Sequence, residues 1–162
     1  SDLRNLSQIY YLHGLPYKSA VVMEKGVATN VLEKNEKNLK FLAQSFVGAK
    51  EYEKAIETYR ALSNITQDGR ADQQIAELRL QQGKFKETVS AAKKAAEKGN
   101  LENPGNLYLA LGMASFNLKQ FDQAMAAFNK ATEIKSSKRM ATQWLKFVER
   151  EKKNAEQLAA NS

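Results

Sequence analysis

Apolar and small residues recur at helical spacing through residues 105–138, the most regular stretch of the chain. Residues three or four positions apart share one face of a helix. A polar break at 117–120 divides the stretch, so it predicts two helices joined by a short turn. Gly112 and Ala124 would allow the helices to approach closely, with Phe128 beside them. The positions of this pattern are Tyr108, Leu111, Gly112, Phe121, Ala124, Phe128 and Ala131.

Three earlier segments repeat the pattern, each with an aromatic residue after its turn. The aromatic residues are Tyr17, Tyr52, Phe85 and Phe121, so successive copies are 35, 33 and 36 residues apart. Pro16 is suited to the first position of a helix, where its missing N–H costs no hydrogen bond. A helical hairpin of this size cannot cover its own apolar faces. The sequence therefore predicts four hairpins stacked on one another.

The segment after Ser137 begins like another first helix but has no return helix. Residues 149–160 continue it as a charged helix, and the apolar stripe before them consists of Ala141, Trp144, Leu145 and Val148. A stack of hairpins needs a last element that is apolar inward and polar outward. We interpret this helix as a cap, with Trp144 packed under the final hairpin rather than serving as a ligand platform.

Composition narrows the class of protein. The 162 residues are 43% hydrophobic and include only two prolines and eight glycines, which favours an all-helical globular protein. No apolar run approaches the ~20 residues that span a bilayer. The chain begins at Ser1 without a methionine, which indicates a fragment or a processed form. The absence of cysteine excludes disulfides and thiolate chemistry and leaves the compartment open.

The net charge of +7 is concentrated towards the two ends of the chain. At the C-terminal end, a basic cluster could contact the phosphates of a nucleic acid. No aromatic residues alternate with these cations, so a solvated cap is the preferred interpretation and nucleic-acid binding is the alternative. The cluster consists of Lys135, Lys138, Arg139, Lys146, Arg150, Lys152 and Lys153.

The sequence contains no recognisable catalytic or metal-binding pattern. His13 is the only histidine, and neither His-x-Glu nor Cys-x-x-Cys spacing occurs. The glycines are scattered and form no phosphate-binding loop. Acidic pairs such as Glu51 and Glu53 are best interpreted as solvated helix faces. We therefore expect no enzyme activity, no cofactor and no metal site.

The period and the Leu111-Gly112, Ala124-x-x-x-Phe128 pattern resemble the tetratricopeptide repeat over nearly the whole chain. The copy at 105–138 matches the pattern of the tetratricopeptide repeat best, and the second copy also matches it well. The first and third copies keep only part of the pattern. None has the family's Trp or its terminal Pro. The resemblance implies an all-α, right-handed α-solenoid in a single domain. Its units would be about 1–35, 36–68, 69–102 and 105–138, with the capping helix at about 138–159.

The resemblance also implies a protein-binding scaffold and a place where its ligand binds. In this family, contacts fall on the first helix of each repeat, at positions outside the apolar stripe. The groove would be basic and rich in amides at first and apolar later, which suits a peptide with an acidic end and an apolar segment. The groove residues carried over are Arg4, Gln8, Tyr11, Lys37, Lys40, Gln44, Val47, Arg70, Gln73, Gln74, Glu77, Leu80, Asn106, Leu109, Met113, Phe116, Arg139, Thr142, Gln143 and Lys146.

Two qualifications apply to this groove. Leu109, Met113 and Phe116 form its apolar part, but they can equally well pack on the capping helix. The family's two-carboxylate clamp, which binds the C-terminal tails of chaperones, needs an asparagine at one first-helix position. Binding of chaperone tails is therefore disfavoured, because the residues at that position are Gln8, Gln44, Glu77 and Met113.

A narrower resemblance lies in residues 103–145. The segments Asn103-Pro-Gly, Leu111-Gly-Met-Ala-Ser-Phe-Asn-Leu-Lys-Gln-Phe-Asp-Gln-Ala and Ser136-Ser-Lys-Arg are similar to repeat proteins that accompany bacterial TonB-ExbB-ExbD systems. This resemblance implies a periplasmic or envelope-associated scaffold whose partner is a component of that system. The alternative location is the cytoplasm. A second copy of the chain, giving a homo-oligomer, is the alternative partner.

Overall fold

The computed structural model describes residues 1–162 and contains nine α-helices and no strand. The first eight form four antiparallel hairpins that stack in chain order, and the ninth packs on the last hairpin. The prediction of an all-α solenoid is confirmed. That the chain is a single domain with the predicted repeat boundaries stays a prediction. The helices are α1 (Asp2–Leu12), α2 (Pro16–Ala28), α3 (Glu36–Gly48), α4 (Tyr52–Thr66), α5 (Arg70–Gln81), α6 (Phe85–Lys98), α7 (Pro104–Asn117), α8 (Phe121–Thr132) and α9 (Lys138–Ala160).

All four hairpins use the same three-residue turn. In the first, the N–H of Leu15 donates to the carbonyl of Tyr10 at 2.9 Å, and the equivalent bond closes each of the other turns. This geometry requires a left-handed backbone at the middle residue, which glycine adopts without strain and lysine adopts at some cost. The middle residues are Gly14, Lys50, Gly83 and Lys119.

The aromatic residue of the first hairpin lies one position later than those of the other three. Pro16 is the first residue of α2, as predicted, whereas Tyr52, Phe85 and Phe121 begin the other return helices. Tyr17 is 58% exposed. The prediction that Tyr17 is a turn aromatic is therefore wrong. Proline replaces the aromatic residue here because its fixed φ suits the first helical position.

The closest helix contact within a hairpin lies nine residues before each return helix. Gly112 occupies this place in the last hairpin, and an added Cβ would lie 2.6 Å from the ring of Phe128. Glycine is therefore required by the aromatic ring opposite. In the first hairpin the residue at this position is Ser7, whose Oγ donates a hydrogen bond to the carbonyl of Ser19 at 2.8 Å. Ala43 and Ala76 occupy it in the middle hairpins, and both are fully buried.

Charged side chains are buried where α5 packs on α4 and α6, at positions of its helical stripe. Asp72 is only 3% exposed. Its Oδ2 accepts a hydrogen bond from Ser63 Oγ at 2.9 Å and lies 2.8 Å from Lys98 Nζ. A carboxylate can be buried in this way because a cation and a hydroxyl compensate for the lost water.

Arg79 lies on the same face of α5 as Asp72, seven residues later, and is also buried. Its Nη1 donates to Glu53 at 2.7 Å, and its Nε lies 2.7 Å from a carboxylate oxygen of Glu87. Hydrogen bonds from Arg79 and then from Gln82 lower the pKa of Glu53 to about 2. We call this inter-helix contact the polar joint; it consists of Glu53, Ser63, Asp72, Arg79, Glu87 and Lys98.

The C-terminal helix α9 covers the open side of the last hairpin. Trp144 stacks on Phe128 with ring centroids 5.3 Å apart and an interplanar angle of 8°. Phe116 meets the edge of Trp144 at 5.9 Å and lies 5.2 Å from Phe147. Trp144 is thus a core residue, as its spacing predicts. None of the nine helices combines the length and the apolar character that crossing a membrane requires.

Candidate functional site

A cleft of about 450 Å³ opens between the first helices of the first three hairpins. Its walls come from α1, α3 and α5, and its floor comes from the return helix α4. Six residues of the predicted groove therefore meet in one cavity: Tyr11, Lys40, Gln44, Val47, Arg70 and Gln74. The cleft is lined by Tyr11, Glu36, Lys40, Gln44, Val47, Gly48, Tyr59, Leu62, Thr66, Arg70, Ala71, Gln74 and Glu102.

The floor of the cleft contains a buried tyrosine that the groove prediction does not include. Tyr59 is 4% exposed and lies on α4, among Leu62 and Ala71. Burial raises the pKa of Tyr59 to about 12. Its hydroxyl therefore keeps its proton at neutral pH and remains a hydrogen-bond donor.

The cations of the cleft are paired with acids, which corrects the expectation of a basic groove. Lys40 Nζ lies 3.7 Å from Glu102, and Arg70 Nη2 lies 2.9 Å from Glu36. Glu36 comes from the first turn of α3, and Glu102 comes from the segment before α7. The sequence places these acids far from the cations that they meet, so only the stacking of hairpins brings them together. The cleft therefore presents both signs of charge.

Arg70 is held in place by the turn that precedes α5. Asp68 accepts from the backbone N–H of Arg70 at 3.1 Å and from its Nε at 2.8 Å. Burial alone would raise the pKa of Asp68, but these two bonds outweigh it, and the pKa is lowered. The hydrogen bond to Asp68 also raises the pKa of Arg70. Gly69 allows the turn, because a Cβ there would collide with the carbonyl of Ala95.

A smaller polar depression of about 120 Å³ continues the cleft towards α7. It shares Arg70, Gln74 and Glu102 with the cleft. Gln73 belongs to its wall but is 98% buried, and its Nε2 donates to the carbonyl of Asn103 at 2.9 Å and to Glu77 at 3.0 Å. The amide of Gln73 therefore joins α5 to the residue before α7, and that Gln73 also contacts a ligand stays a prediction. The lining residues are Arg70, Gln73, Gln74, Glu77, Glu102, Asn103 and Asn106.

The apolar part of the predicted groove lies next to the capping helix. Leu109 is buried in the cluster formed by α7, α8 and α9, and Met113 and Phe116 are half-buried and pack against that cluster. Such packing removes apolar surface from water. It corresponds to the second of the two alternatives, and a role of these residues in binding stays a prediction.

The remaining predicted groove residues at the N-terminal end lie outside both cavities. Arg4, Gln8 and Lys37 are carried by α1 and the first turn of α3, and none of them lines either cavity. That any of the predicted residues contacts a partner stays a prediction. The groove prediction does not include seven of the lining residues, namely Glu36, Gly48, Tyr59, Leu62, Thr66, Ala71 and Glu102. Of the two acids and the tyrosine among them, only Tyr59 has a sequence signal, since it shares its repeat position with Phe128.

The basic cluster on α9 is partly engaged within the chain. Lys152 Nζ lies 2.8 Å from Asp122 of α8, and this hydrogen bond raises the pKa of Lys152. The guanidinium of Arg150 lies over the ring of Phe147 at 5.2 Å. No three His, Cys, Asp or Glu side chains are arranged to hold a metal ion. The groups that line the cleft can act through hydrogen bonding, charge and shape.

Residues 105–138 match the family model of the tetratricopeptide repeat. Among solved structures, MamA from Desulfovibrio magneticus RS-1 is similar with a TM-score of 0.75 and 16% identity, over 98% of this chain and 88% of that chain. The C-terminal part of a TPR repeat-containing protein from Cytophaga hutchinsonii gives a TM-score of 0.74 and 16% identity, over 90% of this chain and 57% of that chain. A comparison with curated proteins gives no match in sequence.

The matched segment contains both helices of the fourth hairpin, α7 and α8, which the sequence pattern also marks as the most regular copy. The similarity to the solved structures extends over the whole stack of helices. Residues 105–138 are thus similar to a tetratricopeptide repeat, and the chain has the all-α solenoid fold of the similar solved structures.

Proposed function

We propose that this protein is a non-catalytic scaffold that binds a segment of a partner protein in the cleft between α1, α3 and α5. The observation that carries the proposal is the cavity of about 450 Å³ lined by the first helices of three successive hairpins. A solenoid of helical hairpins uses such a surface for recognition because every repeat adds side chains to the same side.

The chemistry of the cleft favours a segment with charges of both signs. Lys40 and Arg70 can meet acidic side chains, while Glu36 and Glu102 can meet basic ones. All four are at least one-third exposed, so a ligand can replace their present partners at small cost. Between them, the amide of Gln44 and the hydroxyl of Tyr59 can hydrogen-bond to the backbone of an extended peptide.

The non-catalytic part of the proposal is supported by the way these groups are paired. The acids of the cleft form ion pairs, Glu36 with Arg70 and Glu102 with Lys40, so neither lies next to a nucleophile that it could activate. The cleft contains no cysteine or histidine, and its only serine-type hydroxyl is that of Thr66, which donates to the carbonyl of Leu62 at 3.3 Å. No nucleophile lies next to a base.

We also propose that the partner belongs to a TonB-linked complex of a bacterial envelope. The support for this is the similarity of residues 103–145 to repeat proteins that accompany such systems. The cleft lies outside most of that segment, so the resemblance concerns the setting of the protein rather than the chemistry of its ligand.

Site-specific photocrosslinking tests the scaffold proposal. A photoreactive residue replaces Gln44 in the cleft, and a matched variant carries it at Lys86, an exposed residue on α6 outside the cleft. We expect crosslinked protein at position 44 and none at position 86, with capture at 44 abolished by Gln74→Trp in the same chain. Equal capture at both positions, or capture insensitive to Gln74→Trp, contradicts the proposal.

The same experiment tests the proposal that the protein works in a bacterial envelope complex. Crosslinking is carried out separately in envelope and cytosolic fractions of a bacterial source, and the captured chains are identified by mass spectrometry. Capture of a TonB-system component at position 44 supports the envelope proposal. Capture confined to cytosolic proteins contradicts it while leaving the cleft as the binding site.

A further inference from the structure

The outer face of the first hairpin leaves apolar residues in water that are buried in every other hairpin. Leu6 of α1 is 39% exposed, whereas the residues at its repeat position, ten before the return helix, are 5–9% exposed. Ile9 is 52% exposed, and its counterparts are at most 5% exposed. The counterparts are Leu42, Ile75 and Leu111 for Leu6, and Ser45, Leu78 and Ala114 for Ile9.

The difference has a simple structural cause. The return helix of the preceding hairpin packs on the first helix of the next one, so that α2 covers α3, α4 covers α5 and α6 covers α7. Nothing in the chain covers α1 in this way. The face of α1 with Leu6 and Ile9 therefore continues an interface that the molecule already uses three times, and it is shaped to accept an antiparallel, amphipathic helix.

We propose that this face binds a second copy of the chain, with α1 of one copy lying antiparallel on α2 of the other. The chain has a suitable helix in the same hairpin: Val21 of α2 is 44% exposed, and Val22 beside it is half-buried. A two-fold axis parallel to the helices places each α1 opposite the α2 of the second copy. Leu6 and Ile9 then meet Val21 and Val22 of the second copy twice.

Charge supports a second copy as the occupant. In the antiparallel pairing, the start of α1 lies beside the end of α2, so that Asp2 faces Lys25 of the second copy, and the reverse pair forms at the same end, across the two-fold axis. The face thus carries complementary charges in positions that a two-fold axis joins. The opposite end of the solenoid could not pair with itself, because the outer side of α9 carries Arg139, Lys146 and Lys153.

The mass of the chain in solution tests this proposal. Analytical ultracentrifugation over a concentration series should show a mass that rises to twice that of one chain. Ile9→Glu should abolish the dimer and leave the helical signal unchanged, and its melting temperature should equal that of the parent at concentrations where the parent is a monomer, because Ile9 contributes little to the hairpin itself. The matched control is Leu158→Glu, at the 74%-exposed leucine near the end of α9, which should leave the dimer intact.

A charge exchange tests the antiparallel arrangement. Asp2→Lys should weaken the dimer several-fold, and adding Lys25→Glu should restore it, since both pairs are then rebuilt with opposite polarity. Gln74→Trp in the cleft should not change the dimer, so failure of this proposal is distinct from failure of the binding proposal. A monomer at every concentration, a dimer that survives Ile9→Glu, or no restoration by the second exchange overturns the proposal.

Discussion

The first and last hairpins have the same backbone turn but are held together by different side chains. In the last hairpin, Phe128 fills the space left by Gly112 and stacks on Trp144. In the first, Ser7 and Ser19 hydroxyls lie 2.8 Å apart, and no aromatic ring enters the contact. At the C-terminal end of the solenoid, the helices are joined by aromatic packing that α9 covers. At the N-terminal end, they are joined by buried hydroxyls, and the outer face of the hairpin is exposed. The backbone turn determines that a hairpin forms, and the side chains packed between its two helices determine how much it contributes to the free energy of unfolding.

Truncating the central side chain of each hairpin should show the largest difference. Phe128→Ala should destabilise the protein by about 3–5 kcal/mol, because it opens a cavity and removes the stacking partner of Trp144. Met23→Ala, at the equivalent position, should cost about 2–3 kcal/mol, since the uncovered first hairpin can partly collapse. Urea unfolding followed by circular dichroism measures both. Equal losses would show that the two ends are held with similar strength.

Substitutions five positions before the return helix should distinguish a packing role in the last hairpin from a binding role in the first. Phe116 contacts Trp144 and Phe147, so Phe116→Ala should cost about 2–3 kcal/mol. Tyr11 has the same repeat position but lines the cleft and is 39% exposed. Tyr11→Ala should cost less than about 1 kcal/mol and reduce crosslinking at position 44. A large stability loss from Tyr11→Ala would assign it to the core.

Alanine at the closest-contact position should be accepted at one end and rejected at the other. Gly112→Ala forces a Cβ against the Phe128 ring and should cost about 1–3 kcal/mol. Ser7→Ala only removes the hydrogen bond to Ser19 and should cost about 0.5–1.5 kcal/mol, since Ala43 and Ala76 fit there in the middle hairpins. The measurement is the unfolding free energy of the two variants against the parent protein. A larger loss for Ser7→Ala would reverse the comparison.

Acid should weaken the polar joint and leave the packing difference between the two ends unchanged. Because the folded-state pKa of Glu53 is lowered to about 2, its contribution is complete above about pH 4.5 and disappears as pH falls towards 2. Glu53→Gln should therefore destabilise the protein at pH 7, by up to about 1 kcal/mol given the exposure of the carboxylate. The difference from the parent should vanish near pH 2. A constant difference across this range would show that Glu53 acts by packing and not by charge.

The fold could be predicted because it depends on local spacing. Apolar residues at helical intervals and left-handed turn residues such as Gly14 and Gly83 determine hairpins within about 30 residues, and hairpins with two apolar faces must stack. The register of the first hairpin was less secure, since Pro16 and Tyr17 both fit a helix start. The pattern at 105–138 was strong because glycine and phenylalanine are needed together at one contact.

The binding surface could be predicted only in part, because its charges come from separate elements. Lys40 and Arg70 have the expected repeat positions, but Glu36 and Glu102 reach them only through the stacking of α3, α5 and the segment before α7. The apolar side chains of α7 satisfy both a groove and a core pattern. Deciding between the two needs the direction of α9, which the spacing of Trp144 indicates but does not determine.

The polar joint has a mechanical consequence. Helices of this solenoid contact mainly their neighbours along the chain, so a load applied to its two ends passes through each interface in series. Apolar contacts resist the entry of water, whereas ion pairs such as Glu53–Arg79, which joins α4 to α5, weaken once water reaches them. A pulling experiment with a single molecule should therefore show the first extension between α4 and α5. Since α5 is one wall of the cleft, tension on the chain would release a bound segment before the hairpins themselves unfold.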